Sequence, residues 1–236
     1  MRKRPVITVD GPSGAGKSTV AKRLASALGY DYMDTGAMYR AVAYAWSGDT
    51  SKQDLEHFLR NLKLKFIFGQ VTKVLLNGEE ISSKIRTPEI SMLASSLSQD
   101  PRVRQYLTAM QRELGKEGGI VLEGRDTGSV VFPDAEVKFY LDADVEVRAR
   151  RRHLELNAGE SGEAAEDTLG KVQREMEKRD KDDSQRDIAP LTRPEGARYV
   201  DTSRLDIEGV VQLLKTHVEQ ATQCWPRDAG HHAGHQ

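Results

Sequence analysis

Residues 10–19 read Asp10-Gly11-Pro12-Ser13-Gly14-Ala15-Gly16-Lys17-Ser18-Thr19, a complete G-x-x-x-x-G-K-[ST] pattern. The chemistry of that spacing is anion binding. Gly11, Gly14 and Gly16 permit backbone angles that a Cβ would block, so several N–H groups converge on one anion. A helix N-terminus beneath the loop adds its dipole. Lys17 is spaced to reach β- and γ-phosphates, and the Ser18 hydroxyl to hold Mg²⁺. The loop from Gly11 to Thr19 therefore predicts a bound nucleoside triphosphate. The flanks agree: Val6-Ile7-Thr8-Val9 reads as a buried strand, and Val20, Leu24 and Leu28 share one face of a helix stopped by Gly29.

A second set of residues suits a second anion. Arg40 follows Gly36 by one helical turn, and Arg125 lies in Glu123-Gly124-Arg125-Asp126, directly after the apolar run Ile120-Val121-Leu122. Loops at the end of such a strand carry function. Arg179, Asp183 and Arg186 stand at i, i+4 and i+7. Spacing alone favours a surface stripe of ion pairs for that trio, and it decides nothing for Arg40.

These groups need elements to position them. A strand at 30–33 opens into Asp34-Thr35-Gly36, followed by a helix at 37–46. Leu55, Phe58, Leu59 and Leu62 fit another amphipathic helix. The texture then changes: 64–68 and 73–76 are strand-like, and Asn77-Gly78 is a two-residue hairpin turn leading to Glu80-Ile81. Residues 63–86 thus read as a small antiparallel insertion. Pro88 and Pro101 each suit the first turn of a helix, and 119–123 and 137–142 are further buried strands. From Arg148 the chain is highly charged, with a loop signal at 157–162 and a helix from about 167 to 185. A last strand at 199–201 and a last helix at 207–218 follow. Strands alternating with helices imply an α/β fold with a parallel sheet covered on both faces. Ligands in such folds gather at the carboxyl ends of the strands, where all three motif loops lie.

Length and composition allow this and exclude other classes. The 236 residues suffice for one α/β core with small insertions. A net charge of −1 gives no global attraction to nucleic acid or acidic membrane. The chain shows neither a signal peptide nor an apolar run long enough to span a bilayer. Its single cysteine, Cys224, fits a reducing cytoplasm. The tail from Cys224, with His231, His232 and His235, reads as disordered and only weakly as a metal binder.

Taken together, the motifs resemble those of bacterial cytidylate kinases, nucleoside monophosphate kinases, over residues 5–220. The resemblance rests on the phosphate loop, on Asp34-Thr35-Gly36-Ala37-Met38-Tyr39-Arg40, on Ile85-Arg86-Thr87 and on Pro101-Arg102-Val103-Arg104. It continues through Gly124-Arg125-Asp126-Thr127-Gly128-Ser129-Val130-Val131-Phe132-Pro133-Asp134-Ala135 and Arg186 with Ala189-Pro190-Leu191. It implies a P-loop NTPase three-layer fold with a central parallel sheet, the β insertion in the acceptor-binding region, and a mobile lid. The core would comprise 1–36, 117–147 and 187–225, the acceptor region 37–116 and the lid 148–186, all one domain over 1–225, with 226–236 a disordered tail.

The resemblance also implies roles. Thr35, Arg40 and Arg125 would hold the acceptor phosphate; Thr35 stands where many members have Ser. Ser95, Arg104 and Asp126 would read cytosine. That set suits an N4 amino donor with N3 and O2 acceptors. Uracil would leave buried partners unpaired. Arg179, Asp183 and Arg186 would touch sugar and phosphate, which displaces the surface-stripe reading. Lys17, Arg40, Arg125, Arg179 and Arg186 become the catalytic set. Glu123 stands where some members have Asp, and no arginine among Arg148, Arg150, Arg151 and Arg152 is singled out. The implied reaction is ATP + (d)CMP → ADP + (d)CDP with Mg²⁺, in a cytoplasmic monomer that binds neither nucleic acid nor membrane. A GTP-dependent switch would need an Asn-Lys-x-Asp base loop, which the sequence lacks. A nucleic-acid-binding ATPase would need a basic, aromatic-interleaved stripe. A uridylate, adenylate or small-metabolite kinase is the alternative within the kinases.

Overall fold

A computed structural model describes residues 2–49, 54–68, 72–156 and 165–223. The loop signal at 157–162, Cys224 and the histidine-bearing tail lie outside the described residues. Among the described residues, five parallel strands form the central sheet. These are β1 (Val6–Asp10), β2 (Asp31–Asp34), β6 (Ile120–Gly124), β7 (Val137–Asp142) and β8 (Arg198–Asp201), in the order β2-β6-β1-β7-β8. Strand β1 is central, and its neighbours β6 and β7 leave it on opposite sides. Asp10 pairs with Gly124 of β6 and with Tyr140 of β7. The phosphate loop and the 124–126 loop therefore emerge side by side, at the point where the strand order reverses.

Period-2 alternation sends the strand residues to two cores. On one face, Ile7, Val9, Phe139 and Val200 pack with Val20 and Leu24 of α1 (Lys17–Leu28) and Val210 and Leu214 of α8 (Ile207–Ala221). On the other, Val6, Met33, Ile120 and Leu122 pack with Met38 and Ala41 of α2 (Thr35–Ser47) and Val103 and Leu107 of α5 (Pro101–Gly115). Helices on both sides of the sheet make the expected three layers.

The insertion is an antiparallel sheet of β3 (Leu64–Ile67), β4 (Lys73–Leu76) and β5 (Glu79–Glu80). Asn77 and Gly78 take φ of 51° and 88°, the mirror-image turn that matches strand twist. Ile81 falls just past the short β5, yet it is buried. Phe66, Val74, Ile81 and Ile85 join the same core as α2 and α5, so the insertion shares its apolar centre with the main fold.

Helix starts follow their caps. Asp34 caps α2 with a bond from Ala37 N–H, so that helix begins at Thr35, earlier than periodicity predicts. Thr87 caps α4 (Pro88–Leu97) and Asp100 caps α5, each with proline in the first turn. Helix α3 (Leu55–Asn61) stops one residue before Leu62. Two further helices fill the charged stretch, α6 (Val145–Leu156) and α7 (Ala165–Ser184). The sequence predicts the second but not the first. They pack on each other through Ala149, Val172 and Met176.

Candidate functional site

The phosphate loop runs from β1 into α1. Gly11 takes φ 145°, and a Cβ there would lie 1.9 Å from the Leu141 carbonyl oxygen, so only glycine fits. Helix α1 begins after Gly16 without an acidic residue in its first turn, which leaves its positive end for an anion. Lys17 is buried, and its Nζ donates to the Pro12 carbonyl at 2.6 Å. Burial, with Arg125 adding to it and Glu123 opposing, lowers its pKa to about 7. The Ser18 Oγ donates to Glu123 Oε1 at 2.7 Å, and the Tyr32 hydroxyl donates to the same oxygen at 3.3 Å. Burial and the neighbouring Asp34 raise the Glu123 pKa.

Cations ring this loop. Arg125 donates through Nη1 to Gly11 O (2.9 Å), through Nη2 to Ser13 Oγ (2.7 Å) and through Nε to Asp183 Oδ2 (2.9 Å). It touches loop and α7 at once. Arg148, on α6, donates to Ser13 O at 2.8 Å and pairs with Asp180 of α7. Asp180 in turn accepts from the Ser13 N–H at 2.9 Å. Sequence reasoning missed Asp180 and left Arg148 undistinguished among four lid arginines. In a run this rich in charge, an inward-facing pair looks like a solvated one. Arg151 lies beside the loop, its Nη1 4.0 Å from where a Cβ on Gly16 would stand, and it donates to the Oγ1 and carbonyl of Thr202. Arg152 is exposed and pairs with Glu155.

The predicted acceptor residues fall into two groups. At the end of β2, Thr35 Oγ1 is buried and donates to the Glu123 carbonyl at 2.7 Å. Asp34 caps α2 with one oxygen and holds Arg40 Nη2 at 2.9 Å with the other. Arg40 Nε is buried with no hydrogen-bond partner among the described residues. Farther out, Arg104 and Asp126 form a buried ion pair. Arg104 also donates to Ser98 O at 2.9 Å and lies over the Tyr39 ring at 5.7 Å. Ser95 is linked to this pair only at one remove among the described residues: its carbonyl accepts from the Oγ of Ser98.

The trio at 179–186 differs from its predicted geometry. Helix α7 ends at Ser184, so Arg186 lies beyond it and does not continue the face of Arg179 and Asp183. The pairing survives by another route. Arg186 turns back, its Nη2 lying 2.9 Å from Asp183 Oδ1 and its Nε donating to the Asp183 carbonyl. Asp183 is buried between Arg125 and Arg186. Desolvation lowers the Arg186 pKa, with Asp183 opposing and Arg104 adding to the depression. Arg179 keeps much of its surface in solvent; desolvation of its head group, then Arg125, lowers its pKa, with Arg40 contributing. Like charges this close are costly alone and favourable around a polyanion.

The cytidylate kinase family model matches residues 7–220. Cytidylate kinase of Citrifermentans bemidjiense is 46% identical over 220 residues, covering 91% of this chain and 93% of its own. That of Syntrophotalea carbinolica is 44% identical over 237 residues, covering 98% and 99%. That of Thermosipho melanesiensis is 47% identical over 216 residues, covering 91% and 96%. Among solved structures, an uncharacterised protein from Eubacterium ventriosum shares the fold, with a TM-score of 0.51 at 11% identity over 92% of this chain and 99% of its own.

Proposed function

Since the chain belongs to the cytidylate kinase family and is a nucleoside monophosphate kinase, we propose that it transfers the γ-phosphoryl group of ATP to CMP and dCMP. The products are ADP and CDP or dCDP. The observation that carries the base assignment is the buried Arg104–Asp126 pair. It offers guanidinium donors beside a carboxylate acceptor, as a cytosine edge requires. The phosphate loop, residues Gly11 to Thr19, binds ATP.

The acceptor phosphate is bound by Thr35, Arg40 and Arg125. The unpartnered Arg40 Nε supports this, because a buried donor without an acceptor is costly unless a ligand supplies one. Asp183 accepts from the sugar, and Ser95 with Arg104 and Asp126 reads the base. An acceptor phosphate oxygen attacks the γ-phosphorus as the bond to the ADP oxygen breaks. That oxygen is already anionic near neutral pH, so no protein base is needed. Catalysis is alignment and charge neutralisation by Lys17, Arg40, Arg125, Arg179 and Arg186. Arg125 suits both jobs, since its donors reach the phosphate loop and its Nε reaches the acceptor-side Asp183.

The residues around Ser18 suit Mg²⁺. Its hydroxyl and the Glu123 carboxylate are hard oxygen ligands 2.7 Å apart at the mouth of the loop. Ser18 would hold the ion that arrives with ATP, and Glu123 would orient Ser18. When bound, the ion offsets charge on the β- and γ-phosphates. Residues 148–186 act as the lid over the core, and 37–116 as the acceptor region, within one monomeric domain. The separate apolar contact of α6 with α7 supports a lid that moves as a unit, excluding water that would otherwise hydrolyse ATP. No helix among the described residues is long and apolar enough to cross a membrane. We place the enzyme in the cytoplasm with its nucleotides, without a nucleic-acid or membrane partner.

The test is a panel of nucleoside monophosphates with ATP and Mg²⁺, scored for diphosphate product. CMP and dCMP turning over well ahead of UMP and AMP is the expected result. A preference for UMP or AMP overturns the base assignment.

A further inference from the structure

Asp10 is the last residue of β1 and directly precedes Gly11 of the phosphate loop. Its side chain is fully buried and takes no part in the chemistry above. Its Oδ1 accepts from the Thr127 N–H at 2.9 Å and from Thr127 Oγ1 at 2.7 Å, and its Oδ2 accepts from the Gly128 N–H at 2.7 Å. All three donors belong to the two residues after Asp126. We propose that Asp10 is a positioning residue for base recognition, fixing Asp126 against the phosphate loop through Thr127 and Gly128. The proposal rests on the reading of Arg104 and Asp126 as the cytosine-reading pair.

Three features support it. Asp126 takes φ −142° and ψ 20°, outside regular structure, where its own backbone cannot hold its direction. The wide helical turn at Thr127–Val131 that follows is also held at its far end. There Arg112 of α5 donates to Val131 O at 2.9 Å and to Val130 O at 2.8 Å. Because α5 also carries Arg104, these bonds tie the helix to the turn, and Asp10 ties the turn to β1. Finally, the carboxylate is an expensive way to hold a turn. Burial outweighs its three hydrogen bonds and raises its pKa to about 6. Only an acceptor with two oxygens takes all three donors; an amide would turn an NH₂ toward one of them.

The test compares wild type with Asp10→Asn, Thr127→Val and Asp126→Asn. Readouts are thermal midpoint, KM for ATP, and kcat/KM for CMP and UMP. If Asp10 positions Asp126, Asp10→Asn raises KM for CMP about tenfold, the effect of one or two charged hydrogen bonds, with KM for ATP within about twofold. The CMP-to-UMP ratio of kcat/KM falls with it. Thr127→Val, nearly isosteric and lacking one of the three bonds, shifts both values the same way by less. Should Asp10→Asn fail to fold, Thr127→Val alone decides, and an unchanged ratio there overturns the proposal. A purely structural Asp10 would lower the thermal midpoint and kcat while leaving the ratio at its wild-type value. That result overturns the proposal if Asp126→Asn still changes the ratio. If Asp126→Asn leaves the ratio unchanged too, the base reading and the proposal fall together.

Discussion

The Arg125 Nε lies 2.9 Å from Asp183 Oδ2, across 58 residues of sequence. The pair joins the end of β6 to the end of α7. With Arg186 on the second oxygen of Asp183, it puts one buried carboxylate between two guanidiniums. Substituting Asp183 with Ala removes the shared partner and leaves both cations facing each other. CMP and dCMP turnover should fall at least about tenfold, while ATP affinity stays near wild type. Titration with a fluorescent ATP analogue checks the second half. ATP affinity that drops in step with turnover would assign this contact to the donor site or to the fold.

Lys17→Ala should fold and lose at least about a hundredfold in transfer rate, the scale of removing a charge aimed at the transition state. Among the described residues its Nζ donates to one partner, the Pro12 carbonyl. Losing that bond is a small structural cost beside the loss of charge at the phosphates. A well-folded variant with near-normal turnover would sink the assignment of this loop.

The same amine predicts proton uptake. Its folded pKa is depressed to about 7, whereas the unfolded chain holds that proton to 10.5. Between those values the unfolded state binds more protons, so Lys17 makes stability rise with pH across that window. Binding a triphosphate favours the ammonium form. Because burial depresses the amine's pKa and the triphosphate favours its charged form, MgATP binding at mildly alkaline pH should take up protons. Calorimetry in two buffers of different ionisation enthalpy measures this. Wild type should show the uptake and Lys17→Met should not; equal heats for both proteins would refute it.

Much of this architecture was readable from the residues. The loop pattern, the proline-started helices and Asn77-Gly78 are local signals, and local geometry decides them. Helix α6 was not readable, because its sequence is charged on nearly every face and its apolar contact is the single buried Ala149. Arg186 was misplaced because seven-residue spacing assumes an unbroken helix, and α7 ends at Ser184. Asp10, Glu123 and Asp180 escaped as site residues, and Arg148 could not be told from its neighbouring arginines, for another reason. Their partners lie about 30–170 positions away in sequence and meet only through the strand order β2-β6-β1 and the packing of α6 on α7.

That packing separates the lid arginines. Arg148 reaches the Ser13 carbonyl and Asp180, whereas Arg152 is exposed and pairs with Glu155. Arg148→Met should lower kcat about tenfold or more, since it removes a charged donor from the loop. Arg152→Met should stay within about twofold of wild type, as exposed pairs contribute little. Steady-state rates at saturating ATP and CMP decide it. Equal losses in the two variants would mean that the lid uses its arginines interchangeably.

The base-reading assignment has the sharpest test in Arg104→Met. Arg104 is buried against Asp126, so this change leaves a buried carboxylate unpaired, and the thermal midpoint should fall. Activity alone would then confuse misfolding with lost recognition. The ratio of kcat/KM for CMP to that for UMP avoids this, because the folded fraction cancels. Methionine removes the donor to cytosine N3 and O2, so KM for CMP should rise about ten- to hundredfold, the worth of one charged hydrogen bond. Uracil presents an N3–H where cytosine presents an acceptor, so wild-type Arg104 opposes it. In the variant that opposition is gone while the Asp126 carboxylate remains as an acceptor. UMP should therefore lose less than CMP, and the ratio should shrink. The ATP KM should hold steady, since the donor loop is held by Arg125 and Arg148 and not by Arg104. An unchanged ratio in folded protein would show that the Arg104–Asp126 pair braces the fold and does not read the base.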